Sequence, residues 1–150
     1  MKRHFPLQSL LDLSQLRLDE ATRLLGELIS GQQEAAQRLE LLQQYRDEYQ
    51  RRFLAAAQTG IGRDAWHNYR AFLDRLDSAV VQAKEMVAAS ERRTAAGQLE
   101  WLNKRGRVKA FDTLAQRHHS RVAHAESKQE QKAFDEHAAL RHREKDLAEK

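Results

Sequence analysis

The stretch Thr59-Gly60-Ile61-Gly62-Arg63-Asp64 decides the fold, because it holds the one cluster of helix breakers in the first hundred residues. Two glycines within three positions end a helix, and Asp64 offers a carboxylate to cap the next one. On both sides of this stretch, apolar residues recur at alternating steps of three and four. Upstream the ladder passes through Leu11, Leu18, Leu25, Leu28, Leu39, Leu42, Tyr49 and Phe53. Downstream it passes through Tyr69, Leu73, Leu76, Val80, Val87, Trp101, Val108 and Phe111. A mean period of about 3.5 belongs to helices with one narrow apolar stripe that must be buried against another such stripe. The chain is therefore predicted to be all-α, with two long helices forming an antiparallel two-stranded coiled-coil hairpin that turns near residues 59–63.

Reversal about Ile61 pairs residues whose numbers total about 122. It sets Tyr49 opposite Leu73, Leu25 opposite Gly97, Ala21 opposite Trp101 and Leu11 opposite Phe111. The bulky indole of Trp101 thus meets the small Ala21, as close packing prefers. Gln32 faces Ser90, a polar pair suited to holding register. One hairpin domain over residues 1–150 is expected, with helix 1 at about 5–58 and helix 2 at about 64–119. Pro6 suits the first helical turn. Residues 120–150 find no partners on the first helix in this register, and are expected to form an unpaired or frayed extension. Gly26, Gly31, Gly97 and Gly106 fall inside the predicted helices, each at a cost of about 1 kcal/mol relative to alanine.

Composition agrees with a thin helical structure. Of the 150 residues, 41% are hydrophobic and 32% charged, with a single proline, which suits a solvated exterior better than a thick core. Cysteine is absent, which excludes disulfides and thiolate metal sites and fits a reducing compartment. Lys2, Arg3 and His4 precede apolar residues interrupted by Gln8, Ser9 and Asp12, so no signal-peptide core forms. There is no apolar run of the about 20 residues that cross a membrane. A soluble, intracellular protein is expected. The net charge of +4 is concentrated in residues 91–117, where seven basic residues stand against three acidic ones.

Two stretches invite a functional reading. Tyr45, Phe72 and Ala79 each precede a seam position and, with Leu42, Tyr49 and Leu76, widen the apolar surface at the waist of the hairpin. Such a patch either docks a partner or thickens the core locally. Lys104, Arg105, Arg107 and Lys109 form the sharpest basic run, which is either a contact to an acidic partner or a solvated helix face. The run has no interleaved aromatic residues, so it does not mark a nucleic-acid site. The seven histidines lack the three- or four-residue spacing of ligands on one helical face, and no metal site or cofactor is expected. There is no Gly-rich phosphate loop, HExxH or G-x-S-x-G motif, so no catalytic site is expected either.

Particular residues go further than periodicity. Phe5-Pro6-Leu7 with Leu10, the stretch Ala21-Thr22-Arg23-Leu24-Leu25-Gly26-Glu27, Tyr45 and Tyr49 flanking Glu48, the Gly60-Ile61 turn and Trp66-His67-Asn68-Tyr69 with Phe72 together resemble the flagellar export protein FliJ family. The resemblance covers nearly the whole chain and is most specific between residues 21 and 76. It implies a non-enzymatic component of the flagellar type III secretion apparatus, cytoplasmic and only peripherally associated with the inner face of the membrane. It further implies three partners: the export ATPase hexamer, bound as a central stalk is bound in rotary ATPases, the cytoplasmic domain of the export-gate membrane protein, and the export chaperones that it escorts. Carried over by position, the gate-binding surface is Leu42, Tyr45, Tyr49, Phe72, Leu76 and Ala79. Arg38 stands where the family pattern has glutamine, and Ala83 where histidine can occur. The ATPase contact is expected near the free end of the hairpin. Physics alone leaves a nucleic-acid-associated basic coiled coil and a structural scaffold as alternatives.

Overall fold

The computed structural model describes residues 4–149. Lys2, Arg3 and Lys150, which enter the charge and extension readings above, lie outside the described residues. Two helices account for the fold: α1 (Gln8–Thr59) and α2 (Arg63–Ala148), with no strand among the described residues.

The turn falls where the glycines are. Thr59 donates its hydroxyl to the Ala56 carbonyl at 3.0 Å, and the Gly60 N–H donates to the Ala57 carbonyl at 3.3 Å, closing the last turn of α1. Gly60 has φ of 91°, in the left-handed region that a side chain disfavours. The Trp66 N–H donates to the Gly62 carbonyl at 3.0 Å and opens α2. Asp64 lies inside the first turn rather than ahead of it. Its carboxylate therefore offsets the helix dipole instead of capping as the sequence suggests.

The chain divides into two units, each an antiparallel pairing of part of α1 with part of α2. The turn unit is Leu18–Asn103; the terminal unit takes the described residues up to Arg17 and those from Lys104 on.

In the turn unit the heptad ladder is the buried face. Ala21, Leu73, Leu76, Val80 and Ala83 are buried, while Leu25, Leu28, Leu39, Leu42, Tyr49 and Phe53 are half-buried. Half-burial along one side is what two helices alone provide, since neither can enclose the other. Register is fixed by specific contacts. A Cβ on Gly97 would meet Leu28 Cδ1 at 2.6 Å and Leu25 Cδ1 at 3.6 Å. The Thr94 hydroxyl donates across to the Leu28 carbonyl at 3.3 Å. Trp101 Nε1 donates to Thr22 Oγ1 at 2.9 Å, and Thr22 in turn donates to the Leu18 carbonyl at 2.8 Å. Arg46 pairs with Asp77. The Gly97–Leu25, Thr94–Leu28, Trp101–Thr22 and Arg46–Asp77 contacts lie within a residue or so of the register expected from reversal at Ile61, and Leu28 reaches Gly97 from about one turn further along α1. Gln32 and Ser90 do not lock it, because the buried Ser90 hydroxyl donates to Met86 in its own helix at 2.8 Å. Thr94 supplies the cross-helix polar contact instead.

In the terminal unit Phe5 is buried, its ring 5.7 Å from that of His118, and Ser14 and Ala115 are buried between the helices. Burial then runs out. Val122 and Glu126 are the last half-buried residues, and every described residue from 127 to 149 is exposed, although α2 continues to Ala148.

Candidate partner-binding surface

Three of the predicted waist residues meet as aromatic rings. Tyr45 and Phe72 each immediately precede a seam position, and such positions on antiparallel helices meet along one edge. Their ring centroids are 6.4 Å apart in an edge-on arrangement, and Tyr49 lies 4.5 Å from Phe72. These separations suit the favourable tilted and T-shaped geometries of aromatic pairs.

The other three predicted residues play a supporting part. Leu76 is buried in the seam, and Leu42 and Ala79 are half-buried. They back the rings and do not present them. Tyr45 is the exposed member, with 53% of its surface open to solvent. An aromatic side chain held at one edge by Phe72 and open on the other has lost part of its rotamer freedom before any partner arrives.

Sequence reasoning missed two features here. First, the ring cluster does not stop at Tyr49: Tyr69 lies 5.3 Å from Tyr49, Phe53 lies 5.6 Å from Tyr69, and Trp66 lies 6.5 Å from Phe53. Six rings thus run from the start of α2 to Tyr45. The signal was present in the spacing, since Phe53, Tyr69 and Trp66 are seam residues near the turn. Second, a shallow groove opens on the edge that carries Tyr45, lined by Gly31, Ala35, Arg38, Ala83, Met86 and Arg93 among others. Gly31, Arg38 and Tyr45 are seven residues apart along α1, as are Phe72, Ala79, Met86 and Arg93 along α2. A glycine at an edge position leaves a notch there, with nothing within 4 Å of where its Cβ would be. Arg38 and Ala83 both fall in this groove, Arg38 exposed and Ala83 buried.

The basic run is dispersed by the helix. Lys104 is half-buried, and both Lys104 and Arg105 are engaged with other groups of the fold. Arg107 and Lys109 are exposed, and two residues of separation turn them to opposite sides of α2. Among the described residues no three His, Asp or Glu side chains converge as metal ligands would, and no helix is long and apolar enough to cross a membrane.

The sequence matches the family model for the flagellar FliJ protein over residues 2–147. It is 32% identical over 138 residues to the flagellar FliJ protein of Salmonella typhi, covering 92% of this chain and 94% of that protein. With the flagellar FliJ protein of Escherichia coli K12 the identity is 31% over the same shares. A solved structure from Chlamydia trachomatis, of a protein described as a candidate YscO homologue, superposes with a TM-score of 0.68 over 93% of this chain and 95% of that one. At 19% identity, that likeness concerns the fold.

Proposed function

The chain belongs to the flagellar FliJ family and is a component of the flagellar protein-export machinery, and from that premise we propose that it is a non-enzymatic adaptor joining the export ATPase to the export gate. The observation that carries the proposal is the exposed Tyr45 ring braced on Phe72 and Tyr49. It coincides with the gate-binding surface transferred by position from the family. Aromatic anchors with an apolar body and a polar tip are the side chains most often responsible for binding energy at protein interfaces. Here the cytoplasmic domain of the gate protein covers Tyr45 and the groove beside it.

The second contact is with the ATPase hexamer. Each helix is about 10–12 Å across with its side chains, so a two-helix pair is narrow enough for the axial opening of a ring. Side chains on the pair then bias ring assembly and turnover without chemistry of their own, and escorted chaperones are delivered to the same assembly. The protein acts at the inner face of the membrane at the flagellar base, held there by its protein partners.

The test is a pull-down from cytoplasm and solubilised membrane with the wild-type chain and with Tyr45→Ala/Tyr49→Ala/Phe72→Ala. Recovery of the ATPase and the gate protein by the wild type, with only the gate protein lost by the variant, is the expected result. Gate recovery unchanged by the triple substitution overturns the waist assignment. Unchanged ATPase assembly and activity on adding purified protein overturns the adaptor role.

A further inference from the structure

In the terminal unit, the carboxylates of the packed part keep to one edge and leave the other to arginine and leucine. The residues immediately preceding the seam positions Leu11, Leu18, Val108, Ala115 and Val122 are Leu10, Arg17, Arg107, Leu114 and Arg121. Helical geometry sets these along one edge, and Leu13 and Arg117, three residues on from Leu10 and Leu114, lie on the same side. The equivalent positions in the turn unit, Tyr45 and Phe72, do meet, which supports the placement. Asp12, Asp112 and Glu126, the carboxylates on the packed part of this unit, fall on the other edge.

The four arginines are exposed, and among the described residues none of them forms an ion pair. Elsewhere in the chain Arg23, Arg46, Arg52 and Arg70 each pair with a carboxylate, whereas Arg38, Arg51, Arg63, Arg75, Arg92 and Arg93, like the four on this edge, form no ion pair among the described residues. Between the unpaired guanidiniums of this edge stand Leu10, Leu13 and Leu114, 45%, 42% and 39% exposed. A depression lined by Leu114, Arg117, Ser120 and Arg121 opens on this edge. A single exposed leucine carries no meaning, but a leucine row set among four unpaired guanidiniums is an incomplete surface.

We propose that this edge docks an acidic amphipathic helix of a partner protein. Its apolar side chains cover Leu10, Leu13 and Leu114, and its carboxylates accept paired hydrogen bonds from Arg17, Arg107, Arg117 and Arg121. The guanidinium fork matches a carboxylate in a planar, two-bond contact, which a lysine ammonium does not. Arg107, Leu114 and Arg121 repeat every seven residues, the spacing that a third helix lying alongside reads with its own i, i+3, i+4 and i+7 side chains. A protein helix fits better than an anionic membrane. The leucines are half-recessed, and the edge lacks the lysines and aromatic residues typical of helices that lie in a lipid interface. The inference is independent of the waist and leaves Tyr45 out of its test.

The experiment measures binding of the full chain to a fluorescent helical peptide with a leucine heptad stripe flanked by glutamates. An isomer with lysine in place of glutamate and vesicles of phosphatidylglycerol serve as comparisons. The glutamate peptide is expected to bind, to weaken with added salt, and to lose at least about tenfold in affinity to Arg107→Glu/Arg117→Glu. Both arginines are exposed, so helicity by circular dichroism is expected to be retained. Leu13→Glu, a second variant, lowers affinity through the apolar part. Equal binding of the two peptides, or binding unmoved by the double variant, overturns the proposal. Vesicle binding lost in the double variant, with no binding of the glutamate peptide, assigns the edge to anionic lipid and likewise overturns it.

Discussion

Gly97 and Leu28 approach each other so closely that a Cβ on Gly97 would sit 2.6 Å from Leu28 Cδ1. The glycine is thus a packing choice, unlike Gly26 and Gly106, which have nothing within 4 Å of a Cβ. Gly26→Ala and Gly106→Ala should each stabilise by about 1 kcal/mol through helix propensity alone. Gly97→Ala gains the same propensity but must push the leucine methyl aside, so urea unfolding should place it at least about 0.5 kcal/mol below Gly26→Ala. Equal gains at the two positions would show that the contact imposes nothing.

Cross-helix hydrogen bonds separate by burial. Thr94 is buried and donates across to the Leu28 carbonyl, whereas Thr22, which accepts from Trp101, is exposed. Thr94→Val is expected to lower stability by about 1 kcal/mol, and Thr22→Val by about half of that, because water replaces the exposed partner. Chemical denaturation of both variants beside the wild type decides the ranking.

Within the waist, stability and binding should come apart. Tyr45 is exposed while Phe72 is half-buried between Tyr45 and Tyr49. Tyr45→Ala should cost less than about 1 kcal/mol, yet weaken gate binding at least tenfold. Phe72→Ala should cost about 2–3 kcal/mol as well as binding. Calorimetric titration against the gate domain, paired with thermal melts, tests both halves; a Tyr45→Ala protein that melts early but binds normally contradicts them.

Deleting residues 127–150 should leave the melting temperature within about 2 °C of the wild type, since every described residue of that segment is exposed. An isolated helix with no packed face is marginal in water. Amide hydrogen exchange should therefore be fastest there, and slow exchange across Phe134 or Leu140 would be evidence of a contact that the fold of one chain lacks.

The seam was open to reading because burial in a two-helix pair follows a strict repeat: the buried set Leu73, Leu76, Val80 and Ala83 is the ladder itself. The turn was equally plain, since Gly60 adopts a conformation that glycine alone takes easily. Hydroxyl partners were not legible. Ser90 had a free choice between its own helix and Gln32, and the Met86 carbonyl one turn away wins because reaching it needs no change of helix spacing. Charge runs are likewise not legible as surfaces. The stretch Lys104-Arg105-Gly106-Arg107-Val108-Lys109 is contiguous in sequence, but a helix turns its members in different directions. The edge shared by Arg107 and Arg121 emerges from every seventh residue, and not from neighbours. At the waist, Tyr45 and Phe72 are legible because each stands one place off the ladder.

The six-ring row beginning at Trp66 is also expected to set the order in which the chain assembles. Phe53 and Trp66 are near neighbours in sequence, so bringing them together loses far less chain entropy than joining Trp101 to Thr22. A run of aromatic contacts coincides with the shortest closure, and folding is expected to nucleate beside Gly60 and zip outward. Stopped-flow refolding should slow for Phe53→Ala or Tyr69→Ala, whereas Thr94→Val should leave the refolding rate alone and hasten unfolding. During synthesis the whole of α1 must then wait, with its leucine stripe uncovered, until the ribosome has released enough of α2 to meet it.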